Sequence, residues 1–293
     1  MMQPKDEIMV SCFQHIACRL GEGPLWVKDR LYWFDILDKR LYHCASDGSD
    51  RQQIQFQEHF SAAALTNTDD LLLASETALW RFSPSTQALS KLIDLETDNP
   101  VTRSNDGRAD RQGGFWIGTM GKKAEPKAGA IYRYYQGELR CLRRDITISN
   151  SLCFSPDGRT AYFADTALST IYRWSLDAQG WPEGEPTIFV DLSEAGFSPD
   201  GAVIDSLGCL WSAQWGSSRL VCYAPNGQVD KVINLPVSQP TCPAFAANDL
   251  QRLFVTSATD GLNPEALAKE PLAGSVLEVR LPIAGYPEGV VQL

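Results

Sequence analysis

The chain has 293 residues, of which 44% are hydrophobic, 21% charged and 10% aromatic; this is ample apolar surface for a large packed core and excludes a disordered protein. Its formal net charge is −10 and it contains no run of Lys and Arg, which excludes a surface built to neutralise nucleic-acid phosphates. Length alone permits two average domains or one large all-β domain.

The first residues, MMQPKDEIMV, carry Asp6 and Glu7 and lead into a strand-like segment rather than an apolar core of the signal-peptide kind. No signal peptide and no membrane span are expected, and the chain reads as cytoplasmic. One pattern then recurs six times: a turn rich in Asp, Gly or Asn, a short aromatic or aliphatic strand, and a second strand after a few polar residues. The copies are KDRLYWFDI, NTDDLLLAS, DRQGGFWIGT, PDGRTAYFAD, DSLGCLWSA and NDLQRLFVTS, centred on Tyr32, Leu72, Trp116, Tyr162, Trp211 and Phe254. Their continuations are RLYHCAS, ALWRFSP, AIYRYYQ, TIYRWSL, RLVCYAP and SVLEVRL.

Spacings of 40 to 49 residues suit a blade of four short antiparallel strands, so the expected fold is an all-β, six-bladed β-propeller forming a single domain over residues 1–293. Ring closure is expected to pair residues 8–19 with the last blade. No ten-residue stretch shows clear helical periodicity apart from a weak one at Asn263 to Lys269, where NPEALAK offers one or two turns after an N-cap Asn followed by Pro. The eight cysteines, Cys12, Cys18, Cys44, Cys141, Cys153, Cys209, Cys222 and Cys242, show no C-x-x-C spacing and read as small buried hydrophobes of a reducing compartment.

If the six copies superpose, residues ten to twelve positions before each strand centre lie at one height around the central axis. Those residues are Glu22, Ser61, Asn105, Asn150, Asp200 and Pro243. Four of the six bear carboxylate or carboxamide groups, and on innermost strands they converge on the channel. Converging oxygens without His or Cys point to a hard divalent cation, Ca²⁺, Mg²⁺ or Mn²⁺, with Glu22 and Asp200 supplying the charge. Asn, Asp and Gly are also common turn residues, and SPDG at 155–158 reads as a simple hairpin turn. Arg103 stands two residues from Asn105 and so on the same face of its strand, where it either pairs with a carboxylate such as Asp106 or meets substrate.

These residues resemble the SMP-30/gluconolactonase/regucalcin-like (LRE) family of lactonases over about residues 15–280, through LGEGPLW, LYWFDI, RSNDGRADRQGGFWIGTM, ISNSLCFSPDG, AYFADT, SPDGAVIDSLGCLW and PLAGSVLEV. The resemblance implies one divalent metal on Glu22, Asn150 and Asp200, and hydrolysis of a sugar lactone to its aldonic acid. It further implies that Arg103 and Asn105 contact the substrate and that Asp200 doubles as the catalytic acid or base. Metal identity varies in the family, which adds Zn²⁺ to the candidates while oxygen ligands favour Ca²⁺. One departure stands out. Where animal members place a substrate-contacting glutamate this chain reads MGKKAEPKAGA, so Lys123 takes the place with Glu125 nearby, which leans toward the bacterial sugar lactonases.

Nucleophilic serine chemistry is disfavoured, because no G-x-S-x-G elbow occurs and the only histidines, His15, His43 and His59, lie in the first fifth of the chain. The same histidines fit no paraoxonase-like base. The alternative from another class is a calcium-binding, non-catalytic propeller. A small-molecule sugar lactone is the expected partner, with no nucleic acid and no membrane, and nothing in the sequence speaks to oligomeric state.

Overall fold

The computed structural model describes residues 8–246 and 249–293; the signal-peptide reading of the first residues and the Asn248 turn of the sixth copy lie outside them. The six sequence copies form six antiparallel sheets of four strands, arranged as the blades of a propeller. In each blade the segment preceding the copy is the innermost strand. These inner strands are Gly21–Val27, Phe60–Thr66, Thr102–Ala109, Ser149–Phe154, Ser198–Ile204 and Pro240–Ala246 for blades 1 to 6. The second strands are Arg30–Asp35, Leu71–Ser75, Phe115–Gly121, Thr160–Asp165, Leu210–Trp215 and Arg252–Ser257.

The second strands are near-continuous apolar runs because both of their faces are buried. Alternate residues enter different seams: Trp33 packs with Phe254 and Val276 of blade 6, whereas Phe34 packs with Leu71 and Leu73 of blade 2. Likewise Leu72 packs with Phe115 and Ile117 of blade 3, and Trp116 with Phe154 and Phe163 of blade 4. Clusters around Tyr162 and Leu210, and around Trp211 and Leu253, complete one apolar seam between every pair of neighbours. Each large side chain so buried contributes about 1.5–3 kcal/mol relative to exposure, and a blade taken alone would forfeit this on both faces.

Closure follows the expected route: Met9–Gln14 pairs antiparallel with Val276–Arg280 as the outer strand of blade 6. The helix Pro264–Lys269 forms with Asn263 as its N-cap, whose side chain accepts a hydrogen bond from Ala266 N. SPDG at 155–158 is a turn, with Asp157 accepting from Arg159 N, while the SPDG at 198–201 lies in an inner strand. All eight cysteines are free; five are buried, Cys141 and Cys209 are half-buried, and Cys12, on the outer strand of blade 6, is exposed against expectation. Among the described residues no helix is long and apolar enough to cross a membrane.

The final segment carries no strand repeat, yet it is built into the ring. Gly285 bridges Asp205, Arg111 lies over the Tyr286 ring at 4.3 Å and donates to Pro287 O, and Val290–Val291 adds a parallel strand to the inner edge of blade 2. All these contacts lie at the ends of inner strands, so the segment closes the mouth opposite their starts.

Candidate functional site

Every inner strand breaks its ladder near its start with a bulge, as between Glu22 and Leu25, Ser104 and Gly107, Asn150 and Cys153, and Pro199 and Ala202. A bulge re-aims the side chains around it. Here Glu22, Arg103, Asn105, Asn150 and Asp200 all line one open cavity of about 380 Å³, together with Leu20, Met120, Thr166, Trp215 and Asp260. Lys123 lines the same cavity, whereas Glu125 turns back to accept a hydrogen bond from Lys123 N at 3.0 Å. All the predicted site residues are therefore brought to one place.

The sixth phased position differs. Ile204 pairs Leu210 in blade 5 but Phe245 pairs Leu253 in blade 6, so the blade 6 turn is two residues longer and the residue equivalent to Asp200 is Thr241 rather than Pro243. Thr241 donates to Gly21 O at 2.5 Å and adds no ligand charge. Ser61 of blade 2 donates to Ser104 Oγ at 2.7 Å. The ring is thus acidic or amidic on blades 1, 3, 4 and 5 only.

Hydrogen bonds fix the amides. Asn150 Nδ2 donates to Thr166 Oγ1 at 2.8 Å, which turns its Oδ1 toward the channel. Asn105 Nδ2 donates to Ser149 O at 2.8 Å and to Asn150 Oδ1 at 3.0 Å, and its Oδ1 accepts from Arg103 Nη1 at 2.7 Å. Each amide oxygen thus accepts one hydrogen bond and keeps a second lone pair, but the donor to Asn105 Oδ1 is a guanidinium, whose charge disfavours a cation there, whereas the donor to Asn150 Oδ1 is a neutral amide. Arg103 Nη1 also donates to Ser104 O at 2.8 Å. Among the described residues Arg103 makes no ion pair, and of its two sequence-level options the pairing with Asp106 is set aside: Asp106 accepts from Leu152 N and faces Arg108. Gly23, at φ +53, has Ser61 O only 2.3 Å from where a Cβ would stand, and its N donates to Glu22 Oε2 at 2.9 Å; a side chain there would push blade 2 off the ligand strand.

Three buried carboxylates, Glu22, Asp200 and Asp106, lie close together at this end of the channel, one more than the phased set contained. Burial, then the Asp106 charge, pushes Glu22 up to about 8. Burial, then Glu22 and Asp106, raises Asp200 well above the usual carboxylate range, and burial raises Asp106 to about 6. Burial also lowers Arg103 to about 10, which leaves it cationic at neutral pH. Like charges held together out of water are costly unless a cation joins them. The donor set of Glu22, Asp200 and the Asn150 amide oxygen fits a hard divalent ion.

A stability consequence follows by linkage. Carboxyls raised on folding hold protons that the unfolded chain has released, so metal-free protein should lose stability as pH rises from about 4.5 toward about 8. Melting of chelator-treated protein should show a Tm that falls between about pH 5.5 and about pH 8, with a shallower fall in Glu22→Gln and a rise on adding a divalent ion. A Tm that is flat or climbs over that window would refute the assignment of strain to this cluster.

A second acid and sulfur group, Asp205 with Cys209 and Cys222, has its ligand atoms within 4.8 Å of one another. The Asp205 carboxylate is already used by Leu207 N, Cys209 N and Trp211 Nε1. Asp110 makes the same turn in blade 3, with Gln112 N, Gly114 N and Trp116 Nε1 and no cysteine, so the arrangement is a turn brace.

Comparison with known proteins fits this geometry. The profile described as the SMP-30/Gluconolactonase/LRE-like region matches residues 20–259. An L-arabinolactonase of Azospirillum brasilense is 37% identical over 91% of this chain and 90% of its own length. A 6-deoxy-6-sulfogluconolactonase of Pseudomonas putida is 34% identical over 92% and 94%. A solved structure described as a calcium-binding protein, regucalcin, from Agrobacterium tumefaciens superposes with a TM-score of 0.94 at 36% identity, covering 96% of this chain and 97% of that one.

Proposed function

We propose, from the premise that the chain belongs to the SMP-30/gluconolactonase/LRE-like family, that it is a metal-dependent lactonase opening a sugar lactone to the aldonic acid. The observation that carries this reading is the placement of Glu22, Asn150 and Asp200 on the wall of an open pocket that also presents Arg103, Asn105 and Lys123. Glu22, Asn150 and Asp200 would hold the cation; an all-oxygen set favours Ca²⁺, with Mg²⁺, Mn²⁺ and Zn²⁺ as candidates to be compared. Bound there, a divalent ion supplies Lewis acidity to the lactone carbonyl and lowers the pKa of water.

The chain's own residues do the rest. Asp200 takes the proton from the attacking water and returns it to the ring oxygen as the carbonyl carbon to oxygen bond breaks. Arg103 donates toward the sugar from a guanidinium braced by Asn105, and Lys123 reaches the substrate from the rim. The relatives named for arabinolactone and for a sulfogluconolactone make sugar lactones of both kinds the first substrates to assay.

Purified protein should hydrolyse at least one of gluconolactone, arabinonolactone, galactonolactone and xylonolactone, lose that activity on chelation and regain it with one of the four metals. No turnover of any lactone with any of the metals would end the enzyme reading. It would leave the second one, a calcium-binding propeller without catalysis, which the likeness to the regucalcin structure favours.

A further inference from the structure

Beneath the polar ring the channel holds a line of charges that the proposed reaction does not use. Asp106 lies next to Asn105, and the bulge between Ser104 and Gly107 sets both toward the axis. Arg108 follows on the same strand and reaches across the channel: its Nε donates to Leu152 O at 3.1 Å, and its Nη2 to Ala202 O at 3.2 Å and Pro243 O at 3.5 Å. One guanidinium from blade 3 thereby ties the inner strands of blades 4, 5 and 6. Its Nη1 is ion-paired with Glu288 of the final segment, and both side chains are about nine-tenths buried.

A cavity of only about 10 Å³ separates Asp106, Arg108, Cys242 and Glu288, room for about one water. Buried charges in this stack act on one another with less screening than surface pairs would. The channel contains four acids, Glu22, Asp106, Asp200 and Glu288, and two cations, Arg103 and Arg108, all buried or nearly so. With all four acids ionised, the form a bound cation favours, their sum is −2, the charge one divalent ion cancels.

We propose that Arg108 and Glu288 are positioning residues that set the charge of the cation site from its closed end, so that the final segment tunes how tightly Glu22, Asn150 and Asp200 hold a divalent ion. The inference rests on the reading that those three residues bind a cation. Arg108 offsets Asp106, and Glu288 in turn offsets part of Arg108. Removing either therefore moves affinity in opposite directions, which loss of a merely structural tie does not do.

The test is calorimetric titration of chelator-stripped, full-length protein with Ca²⁺ and Mn²⁺ near neutral to mildly alkaline pH, with melting curves as a fold control. Glu288→Gln leaves Arg108 unbalanced and should weaken binding about tenfold, while Arg108→Met should tighten it by a similar factor. Arg108→Met should also favour a trivalent lanthanide over Ca²⁺ more than the wild type does. Arg108→Lys keeps the charge and loses the fork, so its affinity should stay within about threefold of wild type, and the double variant should return close to it. Weakening in both single variants, or an unchanged Glu288→Gln, would overturn the proposal. If Arg108→Met fails to fold, the contrast between a weakened Glu288→Gln and an unaltered Arg108→Lys decides. Wild-type protein that takes up no cation would overturn the metal reading itself.

Discussion

Asp200→Asn should lower kcat for lactone hydrolysis by at least about a thousandfold at saturating metal, because it removes a general base at the reacting centre. The substitution is isosteric and retains a ligand oxygen while deleting one of the two charges that a divalent ion would meet. A weaker metal affinity should therefore accompany the loss of rate, and a metal titration of kcat separates the two. If kcat at saturating metal stayed within about tenfold of wild type, Asp200 would be a ligand only and the proton would have to move through another group. Unfolding is not expected to mimic the result. Asp200 sits among buried like charges, so the metal-free variant should melt no lower than the metal-free parent.

The six blades are legible in the sequence because the second strand of each is buried on both faces. It writes itself as an uninterrupted run such as LYWF or LLLA, with a turn motif ahead of it. Phasing from those runs brought Glu22, Asn105, Asn150 and Asp200 onto one ring, and the structure places all four on one cavity wall. The phasing slips by two residues in blade 6, where it selects Pro243 in place of Thr241, since turn length between inner and second strand is not fixed by the strand pattern.

Asp106 escaped the same argument for a different reason. Strict alternation sends neighbours such as Asn105 and Asp106 to opposite faces of a sheet, and only a bulge lets both turn toward the channel. A bulge leaves little trace in a single sequence beyond a nearby glycine such as Gly107. The closing segment was likewise silent: Tyr286, Glu288 and Val290–Val291 act through contacts with blades that precede them by more than 170 residues, as Arg111 with Pro287 and Arg108 with Glu288 illustrate. Such partners are set by ring closure and not by local pattern.

Arg103 is where charge and catalysis part company, and Arg103→Met should separate them. The guanidinium repels a cation at Glu22 and Asp200 while offering donors to the sugar, so its removal should tighten the metal and yet reduce kcat/KM by about a hundredfold, the loss expected for a charged hydrogen-bond donor at the substrate. Arg103→Lys should not restore the rate, because a point charge cannot donate to the bracing Asn105 oxygen and present a planar fork to the sugar at once. Lys123→Ala is the useful contrast: Lys123 is an exposed, flexible side chain on the rim, and its loss should raise KM by no more than about tenfold with kcat nearly unchanged. If Arg103→Met weakened metal binding and rate together, its role would be to hold the inner strands of the ring, and the sugar would have to be oriented by Asn105 and the rim alone.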